Sequence, residues 1–106
     1  MNRPRVFLPI ETPRFDVTPA ESFGEPLFLL KTKNMSPFQS NLIFSIFRSE
    51  LAQHRFDPTR DFIAMTGPTN FVGLLLLFIG AEYPNARLLL FDARVNEYVE
   101  RPGPHS

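Results

Sequence analysis

The chain contains no cysteine and no tryptophan, and only two histidines. Without cysteine there is no disulfide, no thiolate metal site and no thiol nucleophile. His105 belongs to the terminal RPGPHS segment and cannot join His54 in a plausible ligand set, so neither a metal nor a cofactor is expected. An excess of one charge is missing as well: eleven Lys and Arg balance eleven Asp and Glu. Nucleic-acid binders normally carry a cationic excess or a concentrated basic face. Here the basic residues are scattered among acids, which disfavours nucleic acid as a partner unless folding gathers them into a patch. Long hydrophobic runs are absent too. The apolar stretch at 71–81 is about half the roughly 20 residues a membrane span needs. The N-terminal MNRPRVFLPIETPRF lacks the sustained apolar region of a signal peptide. These absences predict a soluble, cytoplasmic protein with no membrane contact; the lack of cysteine fits a reducing compartment and is compatible with others as well.

What the chain does have is enough for one core. Its 106 residues suit a single domain. The 43% apolar and 21% charged fractions are ordinary for a globular chain. Twelve Phe against two Tyr supply large buried area with no polar tip, suited to core and interface packing.

Arg5–Ile10 is β-like, but Pro9 points to an edge strand or extended arm. Thr18-Pro19-Ala20-Glu21 has the form of a capping box with proline at the first helical position, and Gly24 closes the short helix it opens. Pro26–Lys31 reads as a buried strand. Ser36-Pro37-Phe38-Gln39 repeats the start signal for a helix running to about His54, with Leu42, Ile43, Ile46 and Phe47 on one face. Asp61–Thr66 is a strand. A second helix follows from near Pro68 to near Glu82, apolar nearly all round, with Phe71, Leu74, Leu75, Phe78 and Ile79 as its main stripe. Arg87–Asp92 is the next strand, and Tyr98–Arg101 returns antiparallel.

The expected fold class is α/β: a small three-layer or two-layer sandwich with a short parallel βαβαβ core and an antiparallel C-terminal edge hairpin. Residues 1–14 form an N-terminal arm or edge strand, 15–101 a single α/β domain, and 102–106 a frayed tail.

Three places carry candidate chemistry. The loop Thr66, Gly67, Thr69, Asn70 lies between a strand's carboxyl end and a helix N-terminus, where open α/β sheets bind anions. Asp92, at the end of the next strand, faces the same edge. The loop lacks GxGxxG and GxxxxGK[ST], and Pro68 removes one backbone donor. An ordinary helix start and an Asp-stabilised turn explain the same residues. Glu50 and His54, one helical turn apart, are either a carboxylate-oriented base or a surface pair. No serine sits in an elbow or triad context, so catalytic residues are not expected.

The third place is the apolar helix itself. Gly73 and Gly80 share one side of it, and each costs roughly 1 kcal/mol against Ala in a helix interior. Close backbone approach, by the sheet or by another subunit's helix, is the natural reason. Phe71, Gly73, Leu76, Leu77 and Gly80 are therefore the candidate interface of a homo-oligomer, with full burial inside one subunit as the alternative.

The stretches FDVTPAESFGEPLFLL, DFIAMTGPTN and LLLFDARVNEYV together resemble a pattern in small phage-encoded proteins of unknown function. The likeness runs from Phe15 to Val99. A Trp-Asp pair is common in that pattern, and Phe91-Asp92 stands in its place here. The resemblance implies a viral accessory protein in the host cytoplasm and supplies no catalytic residues. Acting by protein–protein binding is the expected function, with a host or viral protein as a further possible partner. A nucleotide- or phosphate-binding protein using the 66–70 loop is the alternative.

Overall fold

A computed structural model describes residues 3–13, 15–31 and 36–101. The elements follow in the order β1 (Arg5–Ile10), α1 (Thr18–Glu21), β2 (Glu25–Leu30), α2 (Ser40–Gln53), β3 (Phe62–Ala64), α3 (Thr69–Glu82), β4 (Arg87–Asp92) and β5 (Glu97–Arg101). The segment 102–106 expected to fray, with His105, lies outside the described residues.

The five strands form one sheet in the order β2-β1-β3-β4-β5. The first four are parallel, and β5 pairs antiparallel with β4. The α/β class, the parallel βαβαβ run from β2 to β4 and the C-terminal edge hairpin are as the sequence indicated. β1 is not. It is neither an arm nor an edge strand, because it lies between β2 and β3 and pairs with both. The structure accommodates Pro9 because β3 is only three residues long. Pairing between β1 and β3 ends at Phe7↔Ile63, before the proline, so the missing N–H falls beyond the third strand.

From β1 the chain steps one way to β2; from β2 it jumps back over β1 to β3 and continues to β4. Keeping one crossover hand through that reversal requires helices on opposite faces of the sheet. α2 and α3 accordingly pack on one face, where Ile43, Phe47, Leu51, Leu75, Phe78 and Ile79 meet Phe7, Leu29, Ile63 and Leu88. The opposite face buries Val6, Leu8, Phe62, Ala64, Leu89 and Tyr98 under Ala20 of α1, flanked by Phe15 and Phe23. The result is the three-layer form, with a thin third layer.

Helix starts depart from the expected caps. Thr18 does not cap α1: the cap position is Val17, and the Thr18 N–H donates to Asp16 Oδ1 at 3.0 Å. Ser36 Oγ accepts from the Phe38 N–H at 3.2 Å, but this turn precedes α2 rather than starting it. The buried face of α2 is Ile43, Phe47 and Leu51, whereas Leu42 is exposed. Phe44, outside the face predicted from Leu42, Ile43, Ile46 and Phe47, stacks on Phe78 at 6.1 Å. Gly24 has a plain structural reason: a Cβ there would lie 2.6 Å from the Pro4 carbonyl carbon. The Pro4 oxygen accepts the Glu25 N–H at 2.9 Å, which aligns the start of β2 beside β1.

Candidate functional site

The strand order reverses between β1 and β3, and in open α/β sheets ligands bind at the carboxyl ends on either side of such a reversal. Two neighbouring cavities of about 210 and 240 Å³ open at that end of the sheet and share Pro19, Asn96 and Tyr98. Phe15 and Asp16, which follow β1, and Thr66, which follows β3, line the first of them with Phe91. Burial pushes the Tyr98 phenol above its ordinary range; a hydrogen bond with the Thr66 side chain opposes this, and the Asp16 charge adds to it.

Of the predicted loop, Thr66 is the member that reaches this cavity. Gly67 is exposed with φ +123°, a conformation natural to glycine. Thr69 and Asn70 are exposed at the start of α3, whose cap position is Pro68. Asp92 is occupied by its own turn. Its Oδ1 accepts from the Arg94 N–H at 3.0 Å, and its Oδ2 from Arg94 Nη2 at 2.9 Å. Hydrogen bonds from the Arg94 side chain and backbone hold the Asp92 carboxyl below the usual carboxylate range. Asp16 is likewise lowered by its bonds to Thr18. The carboxyl-end cavity is thus aromatic with an ionised acid on its wall, which does not suit an anion.

Basic groups gather at the opposite, amino end of the sheet. A cavity of about 370 Å³ is lined there by Arg3, Arg5, Glu25, His54, Arg55 and Arg60, with Gln53. Asp61, fully buried, lies directly before β3. Its Oδ1 accepts from the Arg5 N–H at 3.1 Å and Arg60 Nε at 2.9 Å. Its Oδ2 accepts from Arg60 Nη2 at 2.9 Å, the Asp57 N–H at 2.9 Å and Arg5 Nη2 at 3.3 Å. Burial alone would raise this carboxyl, but the bonds from Arg60, Asp57 and Arg5 outweigh it and leave it below the usual range. Arg5 Nη2 and Arg60 Nη2 also donate to the Arg55 carbonyl, at 3.2 and 3.1 Å. The Glu50–His54 pair forms as spaced, 3.5 Å between Oε2 and Nε2, half-buried, with His54 lining this cavity.

Sequence reasoning missed the arginine cluster. Its members are separated by up to 57 positions, and only the parallel topology brings their strand starts together. The legible signal was positional: Arg5 opens a strand, and Arg60-Asp61 immediately precedes one.

The candidate interface on α3 divides by exposure. Phe71, Leu75, Phe78 and Ile79 are buried against the sheet and α2, which places Phe71 inside the subunit. Leu76 is 41% and Leu77 67% exposed. A Cβ at Gly73 would meet nothing within 4 Å, so close approach within the chain does not explain that glycine. Gly80 is half-buried. α2 and α3 run side by side in the same direction, as Phe44 meets Phe78 and Arg48 meets Glu82 one turn further on, at 2.6 Å.

Among the described residues no three His, Asp or Glu side chains converge as a metal site, and no helix is long and apolar enough to cross a membrane. Residues 4–103 match the family model of the Phage Pam3 gp32-like protein. The chain belongs to that phage protein family. Its function is unknown, and the resemblance to small phage-encoded proteins holds over nearly the whole chain. No curated protein and no solved structure matches the chain.

Proposed function

We propose that this phage accessory protein acts by binding another protein surface, and that the first such surface is a second copy of itself meeting it along the outer side of α3. The observation that carries this reading is the stripe Gly73, Leu76, Leu77, Gly80. Leu76 and Leu77 stand out toward solvent, Gly73 leaves open space beside them, and no charged residue occurs between Thr69 and Ala81. Spacings of three, four and seven put all four on one side of the helix. The open space at Gly73 beside the Leu76 and Leu77 knobs suits the self-complementary contact that a two-fold between identical surfaces requires. Exposed apolar surface of this kind marks association sites in soluble proteins. The α2 side adds Phe38 and Leu42, both exposed, with Leu42 at the level of Leu76 by the offset that pairs Phe44 with Phe78.

Light scattering at tens of micromolar should give the mass of a dimer or higher oligomer. Leu77→Glu should return the monomer mass and melt where the wild type melts at concentrations too low for association, because that side chain makes little contact within its own subunit. A wild-type chain that stays monomeric at every concentration would remove the basis of this reading.

A further inference from the structure

We propose that the arginine-lined cavity at the amino end of the sheet is a binding site for a small phosphorylated molecule carrying about two negative charges. The reading does not depend on self-association. Four guanidiniums, of Arg3, Arg5, Arg55 and Arg60, line a concavity whose own acid is Glu25. Asp61 beneath it is a single carboxylate shared between two of them, so it neutralises only one. With Glu25, Asp61 and the neighbouring Asp57 all counted, the cluster keeps a net positive charge. Asp57 Oδ1 accepts from the Thr59 N–H and Oγ1 at 2.9 and 2.6 Å while its charge acts on Arg60, and Glu50 faces His54.

Two features mark arginines of this cluster that the fold itself does not fully satisfy: an enclosed Arg5 Nε that solvent does not reach, and the backbone of Arg55. Arg5 Nε is buried and has no hydrogen-bond acceptor among the described residues. An unmade bond of that kind normally costs about 1–3 kcal/mol, so such groups are rare in finished folds. Arg55 has φ +53°, the left-handed position just past the end of α2 where glycine or asparagine is usual. Its N–H and that of Phe56 close the helix end onto the Ala52 and Leu51 carbonyls. Glycine would make that turn with less strain, yet a guanidinium-bearing residue occupies it and lines the cavity. Neither the Arg3 nor the Arg55 guanidinium donates to any acceptor among the described residues, so serving Asp61 does not account for them.

The chemistry selects phosphate over other anions. Arginine forks bind phosphate oxygens in pairs, and a phosphomonoester carries about −1.5 to −2 at neutral pH, which suits a cavity of net positive charge. The cavity's 370 Å³ lies within the range of small-molecule sites. A nucleic-acid surface would instead need a basic stripe, whereas here the cluster is confined to one concavity on a chain of zero net charge.

The test is calorimetric titration of the full chain with inorganic phosphate and with inorganic pyrophosphate at fixed ionic strength. Pyrophosphate should give a saturable isotherm below millimolar, and acetate at the same ionic strength none. Arg55→Gly relieves the left-handed strain, so its melting temperature should hold or rise while affinity falls at least ~tenfold, equivalent to 1.4 kcal/mol. Arg3→Ala, outside every strand and helix, should fall similarly without unfolding. A flat titration at millimolar ligand, or both variants binding like the wild type, would overturn the proposal. So would tight, steeply salt-dependent binding of a short single-stranded DNA that pyrophosphate cannot displace, which would reassign the cluster to nucleic acid.

Discussion

Asp61 shows how much one side chain can organise. Five hydrogen bonds converge on a fully buried carboxylate, from two backbone N–H groups and two guanidiniums. They tie the start of β1, the 57–60 turn and the entrance to β3 together. Asp61→Asn keeps the shape but leaves two guanidiniums without their shared charge, and removing one partner of a buried ionic set typically costs about 3–5 kcal/mol. Arg5 and Arg60 keep some contact with water, so the lower end of that range is expected in urea unfolding at neutral pH. The pH dependence follows from the lowered folded pKa. A carboxyl that is more acidic in the folded state contributes stability above its unfolded value, about 3.9, and loses it as pH falls through the folded value. The wild type should therefore weaken below about pH 4 more steeply than Asp61→Asn. Asp16, Asp57, Asp92 and Glu100 are also lowered but occur in both proteins, so the difference in slope reports Asp61. Equal acid slopes would show that this carboxylate is not the linked group.

At the scale of elements, α3 and α2 differ in what their sequences reveal. α3 is apolar enough that its burial against the sheet is legible, and Phe71, Leu74, Leu75, Phe78 and Ile79 do form its inner stripe. In α2 the inner stripe is rotated toward Leu51 and Phe44, because the helix must contact α3 as well as the sheet; periodicity sees one face where the fold uses two. Phe78 sits at that junction, with Phe47 at 5.8 Å and Tyr83 at 6.3 Å. Gly73 gives the sharper test. Space is open around it, so Gly73→Ala should raise the stability of the isolated subunit by about 1 kcal/mol through helix propensity. If the Gly73–Gly80 side of the helix is a contact between copies, the same methyl should shift the mass distribution toward monomer. Stabilisation with unchanged association would remove that glycine from the interface.

For the whole molecule, the position of β1 decides most. As a six-residue strand flanked on both sides, with Val6, Phe7 and Leu8 fully buried, it should hold amides that open only on global unfolding. β5 is an edge whose residues, Tyr98 and Val99 apart, are exposed, and should exchange earlier. Hydrogen exchange that found β1 as labile as β5 would contradict the central placement. The same topology sorts the charges. The ends at which parallel strands begin carry Arg5, Arg60 and Arg87, the last held by Glu100 at 3.0 Å and lying over the Phe62 ring at 4.1 Å. The ends at which they finish carry Glu11 and Lys31 after β1 and β2, and the turn-bound Asp92 with Phe91 at the end of β4. The anion site proposed above therefore lies at the edge opposite the usual α/β ligand site.

The sequence by itself determined the class of fold, because Thr-Pro, Gly-Pro and Pro-Asn breaks divide it into segments whose apolar patterns suit strand or helix. It likewise determined the absence of thiol chemistry, the Glu50–His54 contact one helical turn apart and the turn around Asp92, all of which are local. Only the tertiary structure decided that β1 inserts between β2 and β3, since strand order depends on pairing partners that no single segment encodes. It also decided that α1 and the two longer helices take opposite faces, a consequence of reversing direction along the sheet with one crossover hand. The grouping of Arg3, Arg5, Arg55 and Arg60 was hidden for the same reason. Neutral on average and scattered along the chain, the arginines become a charged cavity only where the parallel strands start side by side.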